Sequence, residues 1–95
     1  MEKYDVTNNT SLNRFEVQDS GETAFLDYKI SEKELSHMHT EVPANIGGKG
    51  IANALAAQAF EFAAAQDLKV LNYCAFINTY IKRHPALLNQ MGEKK

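Results

Sequence analysis

Apolar residues alternate with polar ones through the first forty positions and then change period, and the change marks where strands give way to helices. Over residues 12–18, Phe15 and Val17 fall on one side and Arg14 and Glu16 on the other, the period-two pattern of a strand. Asp19-Ser20-Gly21 is a tight-turn signal, so residues 22–30 return as the second strand of a hairpin, with Ala24, Leu26, Tyr28 and Ile30 on one side. Phe25 interrupts that alternation, as expected where both faces of a sheet are covered. A polar turn at Ser31-Glu32-Lys33 leads to a third antiparallel strand over residues 35–42. Strict alternation there puts His37, His39 and Glu41 on one face and Met38, Thr40 and Val42 on the other. Pro43, with no N–H to donate, ends the pairing.

From residue 51 to 66 the spacing changes. Ile51, Leu55, Ala59, Phe62 and Ala63 recur at three and four, and the surrounding alanines make a helix slim enough to lie close to a sheet. Residues 69–73, with Val70 and Leu71 at the centre, read as a strand that the helical crossover makes parallel to its partner. Phe76, Ile77, Tyr80 and Ile81 give one face of a final helix that His84-Pro85 closes, with Leu87, Leu88 and Met91 adding a further turn. The predicted order is β-β-β-α-β-α in an α+β domain over residues 12–91. Residues 1–11, rich in Asn and Thr, are expected to form a loose arm, and residues 92–95 a frayed tail.

Between the third strand and the first helix lies Asn45-Ile46-Gly47-Gly48-Lys49-Gly50-Ile51-Ala52. Glycines remove the Cβ atoms that keep a ligand from the backbone, and the helix that follows offers unpaired N–H groups at its positive end. The residue types suit an anion such as a phosphate. A nucleotide P-loop requires Ser or Thr after the lysine, where Gly50 stands, and a dinucleotide fingerprint requires a glycine at Asn53.

Composition narrows the classes further. Ninety-five residues make one small domain, and 44% hydrophobic with 23% charged residues is ordinary globular composition. A net charge of −2 gives no basic field for nucleic acid or a membrane surface, and no apolar run reaches transmembrane length. The polar start is unlike a signal peptide, so a cytoplasmic protein is expected. The single cysteine, Cys74, is a free thiol. His37 and His39 lack the further cysteine or carboxylate spacing that would complete a metal site, so no metal is expected.

Three stretches taken with the glycines carry a resemblance: His39-Thr40-Glu41-Val42-Pro43 before them, and Tyr73-Cys74-Ala75-Phe76 and Tyr80-Ile81-Lys82-Arg83-His84-Pro85 after them. Together they resemble the GNAT superfamily of acetyl-coenzyme A-dependent acyltransferases, in particular its minimal stand-alone branch, over residues 15–85. The resemblance implies a mixed sheet whose strands diverge beside the glycine loop, with the pantetheine arm of acetyl-coenzyme A (acetyl-CoA) in the gap. It implies coenzyme binding by Val42, Gly47, Gly48, Lys49, Gly50, Ile51 and Ala52, with Tyr80 and Arg83 at the last helix; Lys82 and Arg83 there are either contacts to the adenosine phosphate or a solvated helix end.

Acyl transfer needs a deprotonated acceptor, a polarised carbonyl and a proton for the leaving thiolate. The resemblance places Cys74 beside the thioester, as carrier of the acetyl group or as an acid; the other reading of a lone cysteine is a small buried hydrophobe. His39 is a candidate base or a sheet-face side chain, Glu41 a second base or a surface carboxylate, and Tyr80 the acid for the thiolate or a core aromatic. Two positions depart from the family pattern: Gly47 stands where many relatives carry arginine, and Ala75 where proline is frequent. The expected function is N-acetylation of an amine, a small molecule or a protein, by a monomer or homodimer. The competing expectation is a non-catalytic acyl-CoA-binding module.

Overall fold

The computed structural model describes residues 4–92, and places a long helix against one face of a five-stranded sheet. The strands are β1 (Thr7–Asn9), β2 (Arg14–Asp19), β3 (Glu22–Ser31), β4 (Glu34–Glu41) and β5 (Lys69–Asn72), and they lie side by side in that order. The helices are α1 (Ile51–Ala65) and α2 (Ala75–Arg83), with 3₁₀ turns at Ala44–Ile46 and Pro85–Gln90. All neighbouring strands are antiparallel except β4 and β5, which α1 connects as a parallel pair. The α+β class and the single parallel pair agree with the sequence reading.

Local chemistry accounts for the elements. Ser20 and Gly21, both at positive φ, make the two-residue turn that joins β2 to β3 in the twist a hairpin requires. Phe15, Val17, Ala24, Leu26 and Tyr28 alternate onto the inner face and are buried beneath α1, where Leu55, Ala56, Ala59, Phe60 and Ala63 meet them. Alanine at three of those five helix positions lets α1 approach the sheet closely. The helix ends with Asp67 in the left-handed region, and the Leu68 N–H closes on the Ala63 carbonyl at 2.8 Å.

Three expectations need correction. Residues 7–9, read as part of a loose arm, pair with β2 as a fifth strand; Asn8 supplies the acceptor for the buried Tyr28 hydroxyl at 2.7 Å, a contact that alternation cannot reveal in so short a polar segment. Residues 1–3 of that arm and 93–95 of the expected tail lie outside the described residues. The chain after His84 does not extend α2: Pro85 starts a 3₁₀ turn, and Met91 and Gly92 reach β5, where the Gly92 N–H meets the Val70 carbonyl at 2.8 Å.

The third correction concerns β4. Tyr28 pairs with His37 but Asp27 pairs with His39, so one extra residue, Met38, is accommodated between them as a bulge. Alternation restarts after it. His37 and Thr40 face α1 with Tyr28 and Leu26, while His39 and Glu41 face the opposite side with Asp27 and Phe25. Phe25 is therefore an outer-face residue, with the Arg14 guanidinium 4.5 Å above its ring.

His37 is fully buried, edge-on to the Phe60 ring at 5.1 Å, and neither ring nitrogen has a hydrogen-bond partner among the described residues. Burial lowers its pKa from 6.5 to about 4. The unfolded chain binds this proton more readily than the native one, so stability present above pH 6.5 is lost as pH falls through the window between 6.5 and about 4. The loss amounts to about 3 kcal/mol. Urea titrations at pH 7.5 and pH 4.5 should resolve it, and His37→Leu, which removes the unpaired nitrogens with little change in volume, should flatten that part of the profile.

Candidate coenzyme cleft

The register of β4 creates a gap in the sheet. Its pairing with β3 runs to Glu41, but its pairing with β5 runs only from Glu34 to His37. One last bond, from the Tyr73 N–H to the His37 carbonyl at 2.9 Å, closes the parallel ladder. Past that point β4 continues while the other chain turns into α2, and the two separate around Thr40 and Cys74.

Buried Asn72 makes the turn at the end of β5. Its Oδ1 accepts the Cys74 N–H at 2.9 Å, an Asx turn that leads into α2, and its Nδ2 donates to Asn78 Oδ1 at 2.6 Å one turn inside the helix. Cys74 is thereby fixed as the residue before α2, half-buried, its thiol 3.3 Å from the Thr40 hydroxyl across the gap. Thr40, facing inward only because of the bulge, was on the wrong face in the sequence reading. An asparagine three residues before the last helix was the available signal for Asn72.

Just beyond Thr40 and Cys74 lies a cavity of about 210 Å³ bounded by Val42, Gly47, Gly48, Gly50, Ile51, Ala52, Asn53 and Phe76. Six of these are among the coenzyme residues expected from the sequence; Asn53 and Phe76 were missed. Gly48 and Gly50 have φ of +75° and +84°, and a Cβ at either would meet nothing within 4 Å. Glycine is thus required by backbone conformation rather than by crowding within the chain, and the surface stays bare. No side chain caps α1, which leaves the N–H groups of its first turn to an external acceptor. These features fit a phosphate-bearing ligand.

The remaining expected residues lie elsewhere. Lys49 and Tyr80 border a second cavity, of about 410 Å³, between α1 and α2. The Lys49 ammonium is turned to Asp19 at 3.1 Å. Tyr80 stacks on Phe60 at 6.0 Å and lies tilted against His84 at 4.4 Å, and burial, reinforced by the Glu61 carboxylate, raises its pKa. Arg83 is exposed in the last turn of α2, as is Lys82. His39 and Glu41, 3.3 Å apart and mostly exposed, form a pair on the outer face, across the sheet from Cys74. No group of three or more His, Cys, Asp or Glu suited to a metal occurs among the described residues.

A mixed sheet split beside a glycine loop and an uncapped helix is the architecture expected of the GNAT superfamily, and the comparisons agree. The sequence profile described as GCN5-related N-acetyl-transferase matches residues 14–91, and the chain belongs to that family. Among individual relatives, Protein NATD1 of Xenopus tropicalis is 39% identical over 56 residues, covering 59% of this chain and 51% of the relative. Protein NATD1 of Mus musculus is 37% identical over 75 residues, covering 76% and 68% respectively. The chain thus spans about half the length of the first of these curated relatives. The solution structure of a GCN5-like protein from Staphylococcus aureus superposes with a TM-score of 0.73 at 20% identity, over 100% of this chain and 94% of the other, and shares the fold.

The two left-handed glycines give a direct test of the loop. Gly50→Ala should cost about 1–2 kcal/mol in urea unfolding through backbone strain alone. Gly47→Ala, at an ordinary φ of −71°, should cost less.

Proposed function

We propose that this protein is an acetyl-CoA-dependent N-acetyltransferase in which the donor enters from the α1 side of the sheet and the amine acceptor from the outer face. The observation that carries the reading is the separation of β4 from β5 beyond His37, with Cys74 and Thr40 facing each other 3.3 Å apart inside it. In this reading the amides of Gly48, Gly50 and the first turn of α1 hold the pyrophosphate, and the unpaired edge of β4 beyond His37 receives the pantetheine arm. Backbone N–H groups near His39 to Val42 polarise the acyl carbonyl.

The acceptor nitrogen attacks that carbonyl, a C–N bond forms and the C–S bond breaks. One proton leaves the amine and one reaches the departing thiolate. His39 with Glu41 lies on the outer face, and therefore serves an amine arriving from that side rather than the Cys74 thiol. Cys74 lies on the donor side. Its thiol either gives its proton to the leaving thiolate or takes the acetyl group first, passing the proton to the coenzyme sulfur as the S–C bonds exchange. Tyr80, packed between Phe60 and His84, is assigned to coenzyme binding instead of to proton transfer.

Incubation of the protein with acetyl-CoA, followed by intact-mass measurement and assay of released thiol, tests this. A mass gain of one acetyl group lost in Cys74→Ala supports the covalent route. Amine-dependent thiol release that survives Cys74→Ala but falls about 100-fold in His39→Ala supports direct transfer. Saturable coenzyme binding with neither reaction identifies a binding module and defeats the transferase reading.

A further inference from the structure

The segment between β4 and α1 combines two features that oppose each other. Gly47, Gly48 and Gly50 give its backbone more freedom than other residues would, and freedom in the unbound state has to be lost when a ligand is gripped. Yet the segment is tied down on both sides of Gly47 and Gly48. Asn45 Nδ2 donates to Glu22 Oε2 at 3.0 Å, and Lys49 Nζ donates to Asp19 Oδ2 at 3.1 Å. Asp19 and Glu22 face each other at the end of the β2–β3 ladder, on either side of the Ser20-Gly21 turn. A third tie holds the main chain itself, since the Tyr4 hydroxyl donates to the Lys49 carbonyl at 3.0 Å.

Charge makes the arrangement informative. Two carboxylates directly opposite each other in a hairpin repel, and carboxylates beside a segment suited to an anion oppose its binding. Here each carboxylate is matched by a donor from that same segment, and the one basic residue of the segment, Lys49, is directed at Asp19. Asp19, Glu22 and Asn45 border neither of the two cavities described above, so any influence on a ligand there passes through the loop.

We propose that Asp19 and Glu22 are positioning residues: through Lys49 and Asn45 they hold the glycine segment in its ligand-ready shape before a ligand arrives. Lys49 is then a strut of the loop rather than a partner of the anion. The inference rests on the coenzyme reading above for the identity of that anion, but not for the shape of the free loop.

Asn45→Ala removes one tie without changing charge. In the ligand-free full chain, backbone amide relaxation should show the order parameters of Gly47 and Gly48 falling from the rigid range, about 0.85, towards the flexible one, below about 0.6. Affinity for acetyl-CoA should fall about fivefold, the loss of one exposed hydrogen bond to a charged group, while affinity for S-acetylpantetheine, which has no pyrophosphate, stays unchanged. Adding Glu22→Ala should lower it no further, because both substitutions remove the same tie. Asp19→Ala should also loosen the loop and weaken acetyl-CoA binding. Tighter binding in Asp19→Ala would make Lys49 a phosphate ligand withheld by Asp19 and overturn the proposal, as would unchanged order parameters or equal losses for the two ligands. A loop that loosens in these variants of a chain that binds neither ligand leaves the positioning role standing and removes the coenzyme reading.

Discussion

The β4 strand is committed to two neighbours over different lengths, and the molecule's useful geometry follows from that mismatch. Its antiparallel partner holds it to Glu41, its parallel partner only to His37. An unpaired strand edge inside a sheet is ordinarily a cost, because main-chain donors and acceptors there must find water or a ligand. Here the edge is confined between Thr40 and the entry of α2, next to a loop whose own amides are equally unclaimed by side chains. Two deficits in internal hydrogen bonding are thus adjacent, which suits a long ligand that is peptide-like along one part and anionic along another.

The Met38 bulge adds a second consequence. By resetting alternation, it sends Thr40 to the helix side and His39 with Glu41 to the other. The Cys74 thiol and the His39 imidazole, which the family resemblance places in one cleft, are thereby divided between the two faces. The gap thus has the Cys74 thiol and the Thr40 hydroxyl on its helix side and the His39–Glu41 pair on the opposite face. Asn72 holds the α2 side of the gap, since one side-chain amide both starts α2 and ties back to Asn78.

Much of this was legible in the residues alone. The periods of β2, β3 and α1 survive because each buries a single face against the same core, and that burial is what periodicity records. The glycine loop was legible because left-handed φ leaves little choice of residue at Gly48 and Gly50. Features that depend on register were not. A bulge adds one residue without any residue type announcing it, so the faces of His39, Thr40 and Glu41 were assigned the wrong way round relative to His37. Strand β1 escaped notice because its three polar residues are held by pairing and by the Tyr28 hydroxyl rather than by an apolar face. Tyr80 shows a similar limit: helical spacing identified an inward aromatic, but only the positions of Phe60 and His84 decide which space it borders.

The strap formed by Met91 and Gly92 bears on how the margins of so small a sheet are covered. The main chain of Gly92 satisfies Val70 at the outer border of β5, and a Cβ added there would sit tightly against the Leu71 and Lys69 side chains, at 3.2 Å from each. At the opposite border β1 offers only three residues. With one rim occupied and the other short, the described residues present little template for recruiting a foreign strand, and the longest stretch of unpaired strand edge lies inside the sheet, where β4 outruns β5.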